Sequence, residues 1–146
     1  MDQRILRVLY RDARATLQQV GKEVGLSVSP CWQRIKRMET AGIIKGYSAK
    51  IDPVELGYRD SVIVQLTLQT HDDQILEAFE KALCEIPEVT EACLVSGEYD
   101  YYVRIAVKDT RDYEQLLRER LYRLPGVRHS VSVFVLRQLK EPSVPL

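Results

Sequence analysis

At 146 residues, with 45% hydrophobic and 29% charged residues and a formal net charge of zero, the chain has the balance of one ordinary globular domain or two small ones. No apolar run approaches the roughly 18 residues of a membrane span, and the start MDQRILRVLY lacks the layout of a secretory signal, so a cytoplasmic address is expected. Cys31, Cys84 and Cys93 show no C-x-x-C spacing and lie in apolar patterns, which predicts reduced, buried thiols; His71 and His129 have no partner at ligand spacing, so neither a metal nor another cofactor is expected.

The stretch DQRILRVLYRDAR repeats Ile5, Leu6, Val8 and Leu9 at helical spacing with Arg4, Arg7 and Arg11 elsewhere, which predicts an amphipathic helix. Thr16 is placed to cap a second, short helix, LQQVGKEVG, with Leu17, Val20 and Val24 as its stripe and Gly25 at its end. A third helix follows GLSVS, with Ser29 as N-cap and Pro30 at the first helical position, where a missing N–H is harmless. Cys31, Ile35 and Met38 share its inner face; Gln33, Arg34, Lys36 and Arg37 occupy the outer one. Two short helices joined by a tight turn, the second cationic outside and opening on small hydroxyl residues such as Ser27 and Ser29, form the helix-turn-helix pattern. The stretch AGIIKGYSAKI, ending the helix at Gly42 and turning at Gly46, reads as a small β wing with Lys45 near a nucleic-acid backbone. Trp32 suits either a core edge or stacking on sugar and backbone, and the sequence does not choose.

Charge division supports this reading. Residues 1 to 50 hold ten Lys/Arg against four Asp/Glu, a net of +6, and the remainder holds eleven against seventeen, a net of −6. A basic module suited to double-stranded DNA and an acidic module with another task are therefore expected. Boundaries fall at 1–48 for the DNA-binding module, 49–60 for a linker containing Pro53 and Gly57, and 61–146 for the second module.

From Ser61 onward, SVIVQLTL alternates as a strand, DDQILEAFEKALCEI carries Ile75, Phe79, Ala82, Leu83 and Ile86 at helical spacing, and VTEACLVSG returns to strand character. The unit then repeats: YDYYVRIAV is a strand, TRDYEQLLRERLYRL a helix with Tyr113, Leu116, Leu117, Leu121 and Leu124 inward, and VRHSVSVFVL a strand. An offset of 38 residues lays Ile86-Pro87-Glu88-Val89 over Leu124-Pro125-Gly126-Val127. The fold class is α+β: a winged helix-turn-helix followed by a ferredoxin-like βαββαβ sandwich with two helices on one sheet face. The uncovered face is expected to be too apolar to leave wet, so a second copy should cover it. A homodimer would present two reading heads to half-sites about 34 Å apart.

Between the repeats, VSGEYDYY needs only a tight connection at Gly97 to be a hairpin. It also gathers Ser96, Glu98 and Asp100 with backbone N–H groups at a sheet end, where a carboxylate can hold an ammonium and amides can hold a carboxylate. Ser96 and Asp100 lack a histidine in range, and no phosphate-cradling glycine loop exists, so an enzyme is not expected.

The runs LSVSPCWQRIKRMETAGIIKGYSAKIDP, LVSGEYDYYVRI and YEQLLRERLYRLPGVRHSVSVFVLRQLK together resemble the Lrp/AsnC, or feast/famine, transcriptional regulators over essentially the whole chain. That resemblance implies a winged helix-turn-helix, an effector-binding RAM domain, dimers that assemble into octamers or larger discs, and an amino acid or related metabolite as effector. It implies a DNA-reading helix from Ser29 to Thr40, and an effector loop from Ser96 to Tyr101 with Gly97, Glu98, Tyr99 and Asp100 between. Ser130 and Ser132 of a neighbouring subunit would complete the pocket. Sequence-specific regulation by DNA binding is the function expected, with a DNA-wrapping architectural role as the alternative.

Overall fold

A computed structural model describes residues 1–146, which divide into two compact units: Met1–Ile51 with Glu141–Leu146, and Asp52–Lys140.

In the first unit, three helices pack around one small core: α1 (Asp2–Arg11), α2 (Leu17–Val24) and α3 (Val28–Thr40). Ile5, Val8, Val20, Val24, Cys31, Ile35 and Met38 are buried together, and Leu6, Leu9 and Leu17 pack on the margin. Thr16 does cap α2: its hydroxyl accepts from the Gln19 N–H at 3.2 Å, and the Gln19 side chain accepts from the Thr16 N–H at 2.7 Å. This reciprocal box satisfies two otherwise orphaned donors and is worth about 1 kcal/mol. The turn to α3 is closed by Leu26 N–H donating to the Gly21 carbonyl at 2.8 Å. A Cβ on Gly21 would stand only 2.6 Å from the Leu26 carbonyl oxygen, so this close approach requires glycine.

Two expectations for this unit change. The N-cap of α3 is Ser27, not Ser29, and Pro30 sits in the third helical position. The shift is permitted because the whole first turn of a helix has no intrahelical acceptor for its N–H groups. Gly42 does follow the helix end, with its N–H and that of Ile43 donating to the Glu39 and Met38 carbonyls. Beyond it, however, Ile43 to Lys50 run without strand pairing, so the β wing is not built within the single chain. A β-prone stretch forms a strand only when another strand accepts its backbone bonds, and this unit offers none.

The second unit is a four-stranded antiparallel sheet in the order β2-β3-β1-β4, from β1 (Asp60–Leu68), β2 (Val89–Leu94), β3 (Tyr101–Val107) and β4 (Val127–Phe134). Helices α4 (Asp73–Cys84) and α5 (Thr110–Glu119) cover one face. Alternation sets the core: Val62, Val64, Leu66 and Leu68 of β1 and Tyr101, Val103, Ile105 and Val107 of β3 point at Phe79, Leu83, Tyr113, Leu116, Leu121 and Leu124. The second helix is shorter than its pattern suggested. It breaks at Arg120, and Leu121–Arg123 form a 3₁₀ turn, which keeps Leu121 and Leu124 inward while the chain turns toward Pro125.

The uncovered face departs from expectation. It carries Ile63, Val131 and Val133, but Arg104 lies at its centre, bonded to Glu91, the Ser61 hydroxyl, the Tyr102 hydroxyl and Gln138. The face is mixed rather than uniformly apolar. Likewise Cys31 is buried, whereas Cys84 and Cys93 are exposed; both sit in regular elements but on sides that nothing in the chain covers.

Candidate functional site

Helix α3 holds the residues suited to nucleic acid. Its inner face is fixed by Cys31, Ile35 and Met38, so helical geometry turns Ser29, Trp32, Gln33, Lys36 and Arg37 outward. Ser27 and Ser29 are exposed at the N-terminal end, where residues enter a major groove, and Pro30 is half-buried beneath them. Trp32 is 52% exposed, which decides against a core role; it borders a shallow cleft with Leu9, Ala13, Leu17 and Tyr47. Lys36 lies 3.5 Å from Glu39, and Glu39 also accepts from the Tyr47 hydroxyl at 3.0 Å. Lys45 is exposed in the unpaired stretch after the helix.

Sequence reasoning overlooked Asp2. Its carboxylate accepts from Arg34 at 2.8 Å with one oxygen and from Arg37 with the other. The Arg34 hydrogen bond, joined by Arg37, holds the Asp2 carboxyl below the usual range despite some desolvation. Two of the cations expected to meet phosphate are therefore engaged by the first turn of α1. Helical periodicity within α3 carries no signal of this, because the partner stands more than thirty positions away.

At the other candidate site, the end of the sheet brings together the C-terminus of β1, the N-termini of β3 and β4, and the connection from Val95 to Asp100. Ser96, Gly97 and Glu98 are exposed, and Tyr99 is half-buried. Asp100 is committed to holding this end closed. One oxygen accepts from the Leu68 N–H at 2.8 Å, the other faces His71 Nε2 at 2.8 Å, and its backbone pairs with Leu66 and Val95. The contact with His71, followed by the Leu68 N–H, holds the Asp100 carboxyl below its ordinary value.

Tyr101 belongs to the core: it packs on Phe79 and donates to Glu80 at 2.8 Å, and burial, followed by Glu80, pushes its phenol upward. Ser130 and Ser132 pair with Leu66 and Val64 and so lie on the helix-covered side, where the Ser132 and Tyr113 hydroxyls are bonded. Within one chain, neither serine joins the loop. Instead a cleft of about 350 Å³ is lined by Thr67, Glu98, Tyr99, Arg128 and His129. Of these, only Glu98 and Tyr99 stood among the expected ligand residues. Thr67, Arg128 and His129 carried no signal of this in the sequence, because only the β1–β4 register puts the end of β1 and the start of β4 beside the connection.

Comparison with known proteins agrees with this two-unit fold. Residues 1–45 match the model described as winged helix-turn-helix DNA-binding, and residues 61–145 match the Lrp/AsnC ligand binding domain. The transcriptional regulatory protein DoeX of Halomonas elongata is 37% identical over 97% of this chain and 90% of its own length. The leucine-responsive regulatory protein of Escherichia coli is 37% identical over 97% of this chain and 86% of its own. Among solved structures, an AsnC family transcriptional regulator from Agrobacterium tumefaciens has a TM-score of 0.94 at 33% identity, covering 99% of this chain and 94% of that one. The regulator NMB0573 from Neisseria meningitidis, solved as an L-Met complex, has a TM-score of 0.91 at 28% identity, covering 96% and 90%. With both units matched in order along the chain, this protein belongs to the Lrp/AsnC family of transcriptional regulators.

Proposed function

We propose that this chain is a sequence-specific DNA-binding regulator, acting as a homodimer or a higher assembly such as an octamer, whose promoter affinity shifts when an amino acid binds its second unit. The observation that carries the reading is the pairing, in one chain, of an exposed α3 face bearing Ser29, Trp32, Gln33 and Lys36 with a sheet end bearing Glu98 and Arg128. The first suits base edges and phosphates; the second suits a small zwitterion. That a solved relative holds L-Met supports an amino acid as the ligand class. A second copy placed over Ile63, Val131 and Val133 removes apolar surface from water and brings two α3 helices into one assembly. Regulation then follows as a population shift: a ligand that binds one assembly better than another moves the balance between them by at most that difference in binding free energy, and the DNA affinity moves with it. The working location is the cytoplasm, beside the chromosome.

The test is a binding titration against genomic fragments from this protein's own operon, with and without a panel of amino acids, paired with light scattering. The proposal expects a protected site, a steep loss of affinity with salt, and one amino acid that alters both affinity and mass. Protection spread evenly along every fragment would replace it with a wrapping, architectural role, and indifference to salt and ligand would remove it.

A further inference from the structure

We infer that Trp32 helps to determine which DNA sequence this chain selects: together with Val28 it meets the 5-methyl group of a thymine in the major groove, so the bound site carries thymine at a fixed position. The inference rests on the DNA-binding reading above and assigns one base contact within it.

Its basis is the way α3 is divided around its axis. Cys31, Ile35 and Met38 are buried, and at about 100° per residue the helix then sets Ser29, Gln33 and Lys36 opposite the core. Of the two flanks between, one carries Arg34 and Arg37, both bonded to the Asp2 carboxylate. The other carries Val28 and Trp32, one helical turn apart and therefore neighbours. They are 42% and 52% exposed, which leaves a continuous apolar strip on the outside of the helix. The indole borders the shallow cleft formed with Leu9, Leu17 and Tyr47, so part of it is seated against the protein and the rest is left to a partner.

Position and chemistry select that partner. Val28 is the first residue of α3 and Trp32 the fifth, within the N-terminal turns that reach base edges in a helix-turn-helix. Phosphates along the groove walls call for cations and N–H donors, and the Val28 side chain supplies neither. Among the groups that base pairs show in the major groove, the apolar one is the thymine 5-methyl. Gln33, next along the chain and turned to the groove floor, suits N6 and N7 of adenine, so both neighbours favour A·T pairs. Burial of one methyl against the strip is worth about fourfold in affinity.

The experiment selects a tight duplex from a random pool with the full chain, then replaces its thymines one at a time by deoxyuridine, which keeps the base pairing and removes only the methyl. Mobility-shift titrations should show a thymine in each half-site whose replacement weakens wild-type binding about fourfold. Trp32→Ala should bind the parent duplex more weakly and lose nothing further on that replacement, whereas Trp32→Phe, which keeps an aromatic ring, should retain part of the discrimination. Circular dichroism checks that the variants are folded. A second measurement needs no variant: Trp32 is the only tryptophan, and at saturation its emission should shift less on the deoxyuridine duplex than on the parent. Identical shifts, or a selected duplex in which no thymine is sensitive, overturn the inference, while convergence of the pool on one sequence leaves sequence-specific binding standing. A penalty that persists in Trp32→Ala assigns the methyl to another residue, and a loss in Trp32→Ala that is equal on every duplex places the indole against sugar and backbone; each overturns the inference too. A pool that fails to bind, or binds without converging, removes the sequence-specific reading along with it.

Discussion

Replacing Gly21 by alanine sets two physical effects against each other. In an exposed helix the change stabilises by about 1 kcal/mol, because glycine has the lower helix propensity. Here the new Cβ would stand 2.6 Å from the Leu26 carbonyl oxygen, an approach that backbone cannot relieve without moving the turn. Overpacking of this kind costs about 1–3 kcal/mol. Shifting the turn also weakens the 2.8 Å bond from Leu26 N–H to the Gly21 carbonyl, a further loss of about 0.5–1.5 kcal/mol. The balance is a net destabilisation of about 1–3 kcal/mol, or a midpoint lowered by roughly 4–8 °C per kcal/mol in a unit of this size. Trp32 is the only tryptophan and lies on α3, so its fluorescence reports the first unit selectively during heating. The expected result is an earlier tryptophan transition in Gly21→Ala. An unchanged or later transition would show that propensity outweighs the close approach, and would refute the assigned role of Gly21.

Further outcomes follow from the same structure. Asp2→Asn frees Arg34 and Arg37 for phosphate, so non-specific DNA binding should strengthen at low salt, and the logarithmic salt slope should steepen by about 0.9 for each phosphate gained; weaker binding would mean that Asp2 positions these arginines instead. Lys36→Ala should reduce affinity similarly for all sequences, whereas Gln33→Ala should narrow the gap between operator and random DNA, as measured by competition titration. For Asp100, the folded carboxyl titrates below its ordinary value, so its stabilisation is complete above the unfolded value near about 3.9 and is lost as pH falls through the folded one. Urea midpoints measured between pH 3 and 6 should therefore decline less steeply toward acid in Asp100→Asn than in the parent. Ser132→Ala leaves the Tyr113 hydroxyl without its partner and should cost the second unit about 1 kcal/mol in urea unfolding.

The periodic apolar residues by themselves determined which elements form and which side of each is inward: Ile5 and Val8, Cys31 and Ile35, and the alternation of Val62, Val64 and Leu66 are local patterns that survive any packing. The repeated βαβ unit also pointed to an antiparallel sheet with two helices on one face, though the strand order came only with the fold. Local turn chemistry was legible too: the Thr16 box and the Gly42 end need only their own neighbours. What tertiary structure alone decided are relations between residues far apart in the chain. Examples are Asp2 clasping Arg34 and Arg37, Asp100 closing the end of β1 with His71, Arg104 making the open face mixed, and Arg128 standing across from Glu98. Periodicity assigns a residue to a face but not to a partner. A register shift such as that between Thr67 and Leu68 in the β1–β4 pairing, or a two-residue change of helix start as from Ser29 to Ser27, exchanges which side chains meet. That is why the connection from Val95 to Asp100 was visible in the sequence, while the residues across from it had to await the fold.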